Sequence, residues 1–334
     1  RRQRQMCIRD RNYTILAPFD KYYNGVADFK IQLLPSAGDS DPNVVTRAKS
    51  GNLDYGYTKM VADVQALEGT PGITVTPIDV RYTRLFYLNK FDKKDGSPAP
   101  LADVRVRQAL RYAIDMETIC ETLFQGSAVP ANALAPDANL KGGDLNDYNY
   151  NPEKAKELLA EANWDPNTVI KAVYYYTDQA TVDLMTAVQA YLADVGIKME
   201  FELVEGDLAT ILWAAPADQT NGPRAVDWDI CYAANAALSL HEYYDRYRTG
   251  SPTNSHTPED AELNRLIDAT NASADVNAQN EAFKELIKYE NENLFTMALY
   301  YQPIFLITSD KIGDIQKGTP QFCINWDIQN WNVQ

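Results

Sequence analysis

The chain has 334 residues, 45% hydrophobic residues, a mean hydropathy of −0.39 and a formal net charge of −15 at pH 7. A chain of this length exceeds what one simple hydrophobic core usually supports, so we expect two lobes. The negative charge would repel nucleic-acid phosphates, which argues against a nucleic-acid partner. No run of the sequence approaches the roughly 18 apolar residues of a membrane-spanning helix.

The cysteines are Cys7, Cys120, Cys231 and Cys323, and their spacing contains no Cys-x-x-Cys pair. This spacing indicates neither a metal site nor a redox motif. Cys120 and Cys231 fall within apolar runs, where a buried small thiol is expected. We therefore predict no disulfide, no metal and no cofactor.

Residues 1–11 carry five arginines and one aspartate. The basic start of a signal peptide would be followed by an apolar stretch, and none follows here. The block resembles translated adapter sequence. We predict that residues 1–11 are a non-native or disordered basic tail outside the fold.

Between residues 29 and 88, apolar and polar residues alternate in several short segments, which is typical of strands. Other segments follow the helical period. We predict strands at 29–34, 53–57, 73–78 and 82–88, and helices at 41–50 and 61–67.

Residues Asp103–Asp115 read Asp-Val-Arg-Val-Arg-Gln-Ala-Leu-Arg-Tyr-Ala-Ile-Asp. Apolar residues at positions 106, 109, 110, 113 and 114 form one helical stripe, and the three arginines lie off it. Asp103 can cap the first turn of this helix. Asp115 can cap a second helix over residues 116–124, which Gly126 ends.

The remaining chain alternates strand and helix patterns after a Pro-, Gly-, Asn- and Asp-rich segment at 128–149. That segment is predicted to be irregular, and either functional or on the surface. The β-α-β order at 170–204 favours a parallel pair with a right-handed crossover. We predict helices at 152–162, 181–195, 208–213, 261–272 and 278–293, and strands at 170–176, 198–204, 228–233 and 296–301.

Five segments, in order along the chain, resemble the extracytoplasmic substrate-binding proteins of peptide- and nickel-type ABC importers. The strongest is Asp103–Asp115. The others are Ala48-Lys-Ser-Gly-Asn-Leu-Asp54, Tyr150-Asn-Pro-Glu-Lys-Ala-Lys-Glu-Leu-Leu-Ala-Glu-Ala162, Tyr191-Leu-Ala-Asp-Val-Gly-Ile-Lys198 and Leu263-Asn-Arg-Leu-Ile267. The likeness extends over residues 12–334.

This resemblance implies an α/β chain with a type II-like periplasmic-binding-protein fold of two lobes and mixed sheets. Members of the family usually begin with a signal sequence, the first strands of lobe I and an accessory domain. We expect that the accessory domain and part of lobe I are missing here. The implied domains are lobe I at 12–84, lobe III at 85–302 and a return to lobe I at 303–334.

The resemblance also implies a function, which is capture of an oligopeptide or a similar small polar solute outside the cytoplasm. Hinge closure would hold the ligand for delivery to ABC permease subunits, without catalysis. The protein would be a monomer in the periplasmic space or a cell-surface lipoprotein. It would associate with a membrane only through an anchor in the missing N-terminus.

The candidate ligand-binding residues come from alignment to the cleft of the family and are mostly aromatic. A tyrosine buries a large ring while its hydroxyl orients a ligand, although most tyrosines in strands face the core. The candidates are Tyr57, Thr58, Tyr82, Tyr87, Tyr232, Asn235 and Tyr301.

One departure from the family affects the ligand. Many peptide binders carry Trp-Cys-Ala-Asp after the strand that matches residues 228–232, and this Asp neutralises the ammonium of the peptide. Here the matching residues are Asn235-Ala-Ala-Leu238. A buried ammonium without a counter-charge is costly, so an oligosaccharide is an alternative ligand and a backbone-bound peptide stays possible.

Other function classes have weaker support in the sequence. His241-Glu-Tyr-Tyr-Asp245 imitates half of a zinc-protease helix, but the second histidine is replaced by Asp and His256 lies beyond a turn. No nucleophile elbow, P-loop or dinucleotide fingerprint occurs, and no catalytic residue is predicted. A secreted hydrolase and a sensor or chaperone without a permease are the remaining alternatives.

Overall fold

The computed structural model describes residues 5–10, 13–34, 41, 43–78, 82–136, 140–141, 144–236, 240–313 and 328–334. The chain divides into two compact units. The first comprises residues 1–80 and 303–334, and the second comprises residues 81–302. The sequence placed the first boundary at 84/85, but the strand Tyr82–Leu88 pairs along its whole length inside the second unit.

The first unit begins with an antiparallel sheet in the order β1-β2-β3, made of Gln5–Asp10, Tyr13–Ala17 and Ile31–Leu33. The tail prediction therefore differs from the structure over residues 5–10. Pairs such as Arg9 with Thr14 form because main-chain hydrogen bonds between strands do not require apolar side chains. Residues 1–4 and 11–12 lie outside the described residues.

The rest of the first unit is a second antiparallel sheet with two short helices. Its strand order is β4-β12-β5, and Val44, Ala48, Leu67 and Ile307 form its core. The helices are α1 (Val44–Lys49) and α2 (Val61–Leu67), and the strands are β4 (Tyr55–Thr58), β5 (Ile73–Ile78) and β12 (Ile304–Ser309), followed by the pair β13 (Ile312–Gly313) and β14 (Asn332–Val333).

The second unit is built on a mixed six-stranded sheet in the order β7-β11-β6-β10-β8-β9. The predicted parallel pair is confirmed, since β8 and β9 run parallel from Val169↔Lys198 to Tyr174↔Leu203. The strands are β6 (Tyr82–Leu88), β7 (Val129–Pro130), β8 (Val169–Tyr174), β9 (Lys198–Leu203), β10 (Ile230–Ala236) and β11 (Thr296–Tyr301).

Helices cover both faces of this sheet and form two cores. One core joins the sheet to α3 (Val104–Ala113), α4 (Met116–Thr122), α5 (Pro152–Glu161) and α6 (Gln179–Asp194). The other joins it to α7 (Leu208–Trp213), α8 (Leu240–Tyr244), α9 (Ala261–Thr270) and α10 (Val276–Asn293). None of the helices in the described part of the chain combines the length and apolar composition needed to cross a membrane.

The predicted helix caps are confirmed. Asp103 accepts a hydrogen bond from the amide of Arg105 at 2.8 Å, and Asp115 accepts one from Thr118 at 3.0 Å. Gly126, with φ of +73°, donates its amide to Cys120 O at 3.0 Å and ends the α4 segment. Each such N-cap is worth about 1 kcal/mol.

The arginines of α3 are not equivalent. The Arg105 side chain is 43% exposed and pairs with Asp103, whereas Arg107 is only 4% exposed. The Arg107 guanidinium donates to Asn293 O at 2.7 and 2.9 Å, and to the carbonyls of Leu101 and Ala102 at 2.8 and 2.7 Å. Arg107 therefore ties the start of α3 to the end of α10.

Part of the irregular segment after α4 is internal. Ala131, Ala133, Leu134 and Ala135 are buried, and β7 pairs with β11 through Tyr300↔Pro130. Of the two alternatives predicted for this segment, functional or on the surface, a surface position does not hold for these residues. An alanine side chain is small and is often fully buried against neighbouring backbone. The segment has few large apolar residues, so its composition did not indicate that these residues are buried.

A buried ion pair fixes the approach to β10. Arg224 Nη1 lies 2.7 Å from Asp229 Oδ1, and the two side chains are 4% and 1% exposed. Asp229 also accepts the amide of Lys171 at 2.9 Å, and Arg224 donates to Trp228 O at 3.0 Å. This network joins β10 to the start of β8.

Candidate functional site

Polar and aromatic side chains gather at one end of the six-stranded sheet. Strand pairing places Thr83 of β6 between Asn235 of β10 and Tyr301 of β11. β8 is the next strand beyond β10, and its Tyr174 lies opposite Tyr232 of β10. The register of the sheet thus brings Asn235 and Tyr301 together, whereas Tyr232 pairs with Phe86 near the middle of β6 and lies on the other face.

An arginine that the sequence reasoning missed occupies the same end. Arg84 is the third residue of β6 and is 6% exposed. Its guanidinium carbon lies 4.3 Å from the ring centre of Tyr176 and 5.7 Å from that of Tyr232. Such stacking on an aromatic ring stabilises a cation that has lost part of its hydration.

Tyrosine hydroxyls surround this arginine. Tyr232 and Tyr300 hydroxyls lie 2.7 Å apart, and the stacked rings of Tyr175 and Tyr176 bring their hydroxyls to 3.0 Å. Burial raises the pKa of Tyr232 to about 12, with Arg84 opposing the rise. We call Arg84, Tyr175, Tyr176, Tyr232 and Tyr300 the Arg84 cluster.

Tyr301 and Asn235 lie on the opposite face of the sheet. The Tyr301 hydroxyl accepts from Lys141 Nζ at 2.7 Å and donates to Ala133 O at 2.7 Å. Asn235 Nδ2 donates to Tyr243 O at 3.5 Å, the limit of a hydrogen bond. Burial raises the pKa of Tyr301, so its hydroxyl stays protonated and holds the loop at Ala133.

A buried carboxyl group lies near Tyr301. Glu290 of α10 is 2% exposed, and within the described residues its Oε2 has no hydrogen-bond partner. Burial raises the pKa of Glu290 to about 8, against the opposing effects of the Leu134 amide and Lys141. Sequence reasoning missed Glu290, because its position on the helix looks like any polar site on an amphipathic helix.

The structure changes the location assigned to Tyr87. It was expected where the chain crosses between lobes, but it is fully buried in the core facing α7 to α10. Its ring lies edge-on to Trp213 and His256, at 5.1 and 4.9 Å. The reason is strand alternation, since Tyr87 follows Leu85 on one face of β6 while Arg84 and Phe86 occupy the other.

The other predicted residues have separate positions. Thr58 and Tyr57 belong to β4 in the first unit. Thr58 is 1% exposed, and its hydroxyl donates to Asp63 at 2.6 Å and accepts the amide of Met60 at 3.0 Å. Thr58 therefore fixes the start of α2. Tyr82 begins β6, and its side chain and residues 237–239, which include Leu238, lie outside the described residues.

The residues that resemble half of a zinc-protease helix do not form a metal site in the described structure. His241 lies on α8 and its Nε2 is 3.2 Å from Thr270 O. His256 is fully buried against Trp228 and Tyr247. Among the described residues, no group of three His, Cys, Asp or Glu side chains is arranged to hold a metal ion.

A depression of about 600 Å³ lies elsewhere on the second unit. It is lined by the starts of β8 and β9 and by α6, including Val169, Gln189 and Lys198. These positions are at the opposite end of the two strands from Tyr174 and Leu203. The depression is therefore separate from the Arg84 cluster.

Comparison with known proteins identifies the family. The sequence profile of the bacterial extracellular solute-binding proteins, family 5 (middle region), matches residues 8–257. The chain belongs to this family. The resemblance noted in the five sequence segments is thereby confirmed.

Curated relatives of the family 5 chain match over short stretches. The dipeptide-binding protein of Escherichia coli is 48% identical over 64 residues, which cover 19% of this chain and 12% of the relative. Heme-binding protein A of Haemophilus influenzae is 35% identical over 130 residues, covering 38% and 22%. The names of these relatives describe binding proteins rather than enzymes.

The fold of the family is found among solved structures. The oligopeptide-binding protein AppA from Bacillus subtilis, in complex with a nonapeptide, matches with a TM-score of 0.77 and 18% identity. The match covers 98% of this chain and 65% of AppA. The family 5 chain thus spans about two thirds of that structure, and the predicted two-lobe α/β fold with mixed sheets is confirmed.

Proposed function

We propose that this chain is part of an extracytoplasmic solute-binding protein that captures an oligopeptide or similar small polar solute for an ABC importer. Family membership supports this role, since the family comprises extracellular solute-binding proteins. The observation that carries the proposal is the convergence of Arg84, Tyr232 and Tyr176 at one end of the sheet. Aromatic faces with a few orienting polar groups are typical of ligand sites.

The proposal includes partners and location. The partners are ABC permease subunits, and the protein acts as a monomer, periplasmic or anchored at the cell surface as a lipoprotein. Ligand binding would be accompanied by hinge closure, because a ligand that contacts only the closed state shifts the population toward it. Ligand contacts are proposed for Tyr57, Tyr82, Tyr232, Asn235 and Tyr301. Tyr87 and Thr58 are proposed to support the fold around the site.

An oligosaccharide is the second candidate ligand. Asn235 and the tyrosine hydroxyls offer neutral donors and acceptors that suit a sugar as well as a peptide backbone. Catalysis is not part of the proposal, and a secreted hydrolase is the less favoured alternative.

A thermal-shift screen of the full-length protein against peptide and oligosaccharide panels tests the proposal. A ligand present at 100 times its Kd stabilises the native state by about 2.7 kcal/mol, which raises the melting temperature measurably. Mass spectrometry of the same mixtures should recover each ligand unchanged. Cleavage of a bound peptide or glycan would replace the proposal with the hydrolase alternative, and a panel without any shift would contradict it.

A further inference from the structure

Part of the loop that follows β7 packs onto the buried carboxyl group of Glu290. Leu134 of this loop is fully buried, and its amide donates a hydrogen bond to the Glu290 side chain. The carbonyl of Leu134 accepts a hydrogen bond from the Thr83 hydroxyl at 2.7 Å. We call residues 131–135 the Glu290 segment. A carboxyl group on α10 and a hydroxyl on β6 thus hold the two sides of one peptide unit in this segment.

The Glu290 segment is irregular and depends on side chains for several of its hydrogen bonds. None of its residues belongs to a helix or strand. Asn291 Nδ2 donates to Asn132 O at 2.7 Å, and the Tyr301 hydroxyl donates to Ala133 O at 2.7 Å. Segments of this kind open locally at a lower free energy than the sheet or the long helices. The Glu290 segment can therefore open without disrupting a helix or a strand.

Two buried polar atoms in this region have no hydrogen-bond partner in the part of the chain that the structure describes. They are Glu290 Oε2 and the hydroxyl oxygen of Tyr244, and the two residues are 2% and 1% exposed. Burial and the proximity of Glu290 both raise the pKa of Tyr244. A neutral carboxyl group tolerates such surroundings, whereas burying a carboxylate without a full set of hydrogen bonds is costly.

The groups that face Glu290 do not remove this cost. Lys141 is the cation among them and favours the ionised carboxyl, but its Nζ also donates to the Tyr301 hydroxyl at 2.7 Å. Even with Lys141 nearby, burial raises the pKa of Glu290 to about 8. The other titratable groups that face Glu290 are tyrosines that burial keeps neutral at physiological pH. They are Tyr148, Tyr244, Tyr247 and Tyr301.

From this geometry we infer that the Glu290 segment is a proton-dependent latch, which closes over the protonated carboxyl group and opens when Glu290 loses its proton. Opening admits water to the carboxylate and so removes the cost of burying its charge. The segment also accepts the hydroxyl of Tyr301, so the latch links pH to the end of the sheet where ligand contacts are proposed. The inference does not depend on the proposed function, because no ligand takes part in the opening.

Amide hydrogen exchange of the full-length protein, measured by mass spectrometry between about pH 5.5 and pH 7.5, tests the latch. Protection factors are compared, so the base catalysis of exchange itself is removed. In the open segment Glu290 regains its ordinary pKa of 4.5, whereas the closed segment holds it at about 8. Opening between these values releases one proton, so the opening constant rises by up to about tenfold per pH unit. We expect the protection of Leu134 and Ala135 to fall by about 10- to 100-fold over this range.

Variants assign the pH dependence to Glu290. Glu290→Gln keeps an acceptor for the Leu134 amide but has no proton to lose, so its protection should change by less than about twofold over the range. Glu290→Met, with an apolar side chain of similar length, gives the same test if the Gln variant does not fold. Glu281→Gln alters an exposed glutamate of the same helix and should keep the profile of the unmodified protein.

Low concentrations of urea separate local opening from global unfolding. Exchange through the latch should be insensitive to urea well below the unfolding midpoint, because local opening exposes little surface, whereas exchange of β8 through global unfolding should accelerate. Protection of the segment that does not change with pH in the unmodified protein overturns the inference, whichever variants fold. The same pH dependence in a folded Glu290→Gln or Glu290→Met also overturns it. Exchange of the segment that accelerates with urea together with β8 would link the proton to global unfolding instead, and would likewise overturn the latch.

Discussion

The buried carboxyl group of Glu290 should make the stability of the protein fall as the pH rises. In the folded chain the pKa of Glu290 is raised to about 8 by burial, from an ordinary value of 4.5. Between these two values the folded state keeps a proton that the unfolded state has lost. Stability linked to Glu290 is therefore complete below pH 4.5 and declines as the pH rises to about 8.

The magnitude follows from the width of this window. At about 1.4 kcal/mol per pKa unit, the interval sets an upper bound of about 5 kcal/mol on the loss. The tyrosines that face Glu290 do not titrate in the window, because burial raises their pKa above the ordinary value of 10. They are Tyr148, Tyr244, Tyr247 and Tyr301. Lys141 favours the ionised carboxyl and reduces the loss.

The assay compares the unmodified protein with Glu290→Gln by urea denaturation from pH 5 to pH 8.5. The neutral amide keeps the shape of the protonated acid, so the two proteins should be similarly stable at pH 5. At pH 8.5 the variant should be more stable by several kcal/mol, within the bound of about 5 kcal/mol. Glu281→Gln, an exposed position of α10 paired with Lys284, controls for helix effects and should follow the unmodified protein. Parallel pH curves for Glu290→Gln and the unmodified protein would refute the reasoning.

Other substitutions test the buried polar contacts of the second unit. Arg107→Ala should lower the free energy of unfolding by about 3 kcal/mol, since buried carbonyls lose their donors, while Arg105→Ala should cost less than about 1 kcal/mol. Asp229→Asn should cost about 3 kcal/mol because it removes the buried and nearer of the two carboxylates that pair with the buried Arg224 guanidinium. Asp227→Asn removes the exposed carboxylate, 3.8 Å from the same guanidinium, and should cost less than about 1 kcal/mol. Both pairs of variants are compared by urea denaturation. Tyr301→Phe should speed amide hydrogen exchange roughly tenfold in the loop that its hydroxyl holds, and unchanged exchange there would show that the loop does not depend on this contact.

Periodicity was sufficient to predict most of the elements. The apolar stripe of α3 is buried as expected, with Ala109 and Leu110 at 0% and 1% exposure. The β-α-β order over β8, α6 and β9 predicted the parallel pair because few topologies satisfy that order. Helix caps were predictable because they depend only on residues within one turn.

Burial of Arg107 was not predictable from the same sequence. Its main acceptor, Asn293 O, is 186 residues away, and no local pattern shows that the end of α10 meets the start of α3. The same limit explains Ala131, Ala133 and Ala135, which are buried and whose backbone is contacted by the distant side chains of Arg111 and Tyr301. Whether such residues are buried depends on contacts between residues far apart in the sequence. A single sequence does not show which of these residues are close in space.

The family resemblance selected candidate site residues without assigning them to strand faces. Among them, Asn235 and Tyr301 both flank Thr83, whereas Tyr232 pairs with Phe86. The resemblance gave no means to tell that Tyr232 lies on one face and Asn235 on the other. Arg84 could have been singled out in the sequence, because it is a charged residue within a mostly apolar predicted strand. Such a position is unusual, but it does not match a functional motif.

The family signature and the candidate site are connected through the irregular loop. Arg111 of α3 donates to Ala131 O at 3.3 Å, and Asn291 of α10 donates to Asn132 O at 2.7 Å. The next residue along, Ala133, accepts the hydroxyl of Tyr301. Buried backbone carbonyls need hydrogen-bond donors. In this loop side chains supply the hydrogen bonds that backbone N–H groups would supply in a helix or strand. A segment recognisable by its sequence therefore supports the end of the sheet without contributing a residue to the Arg84 cluster.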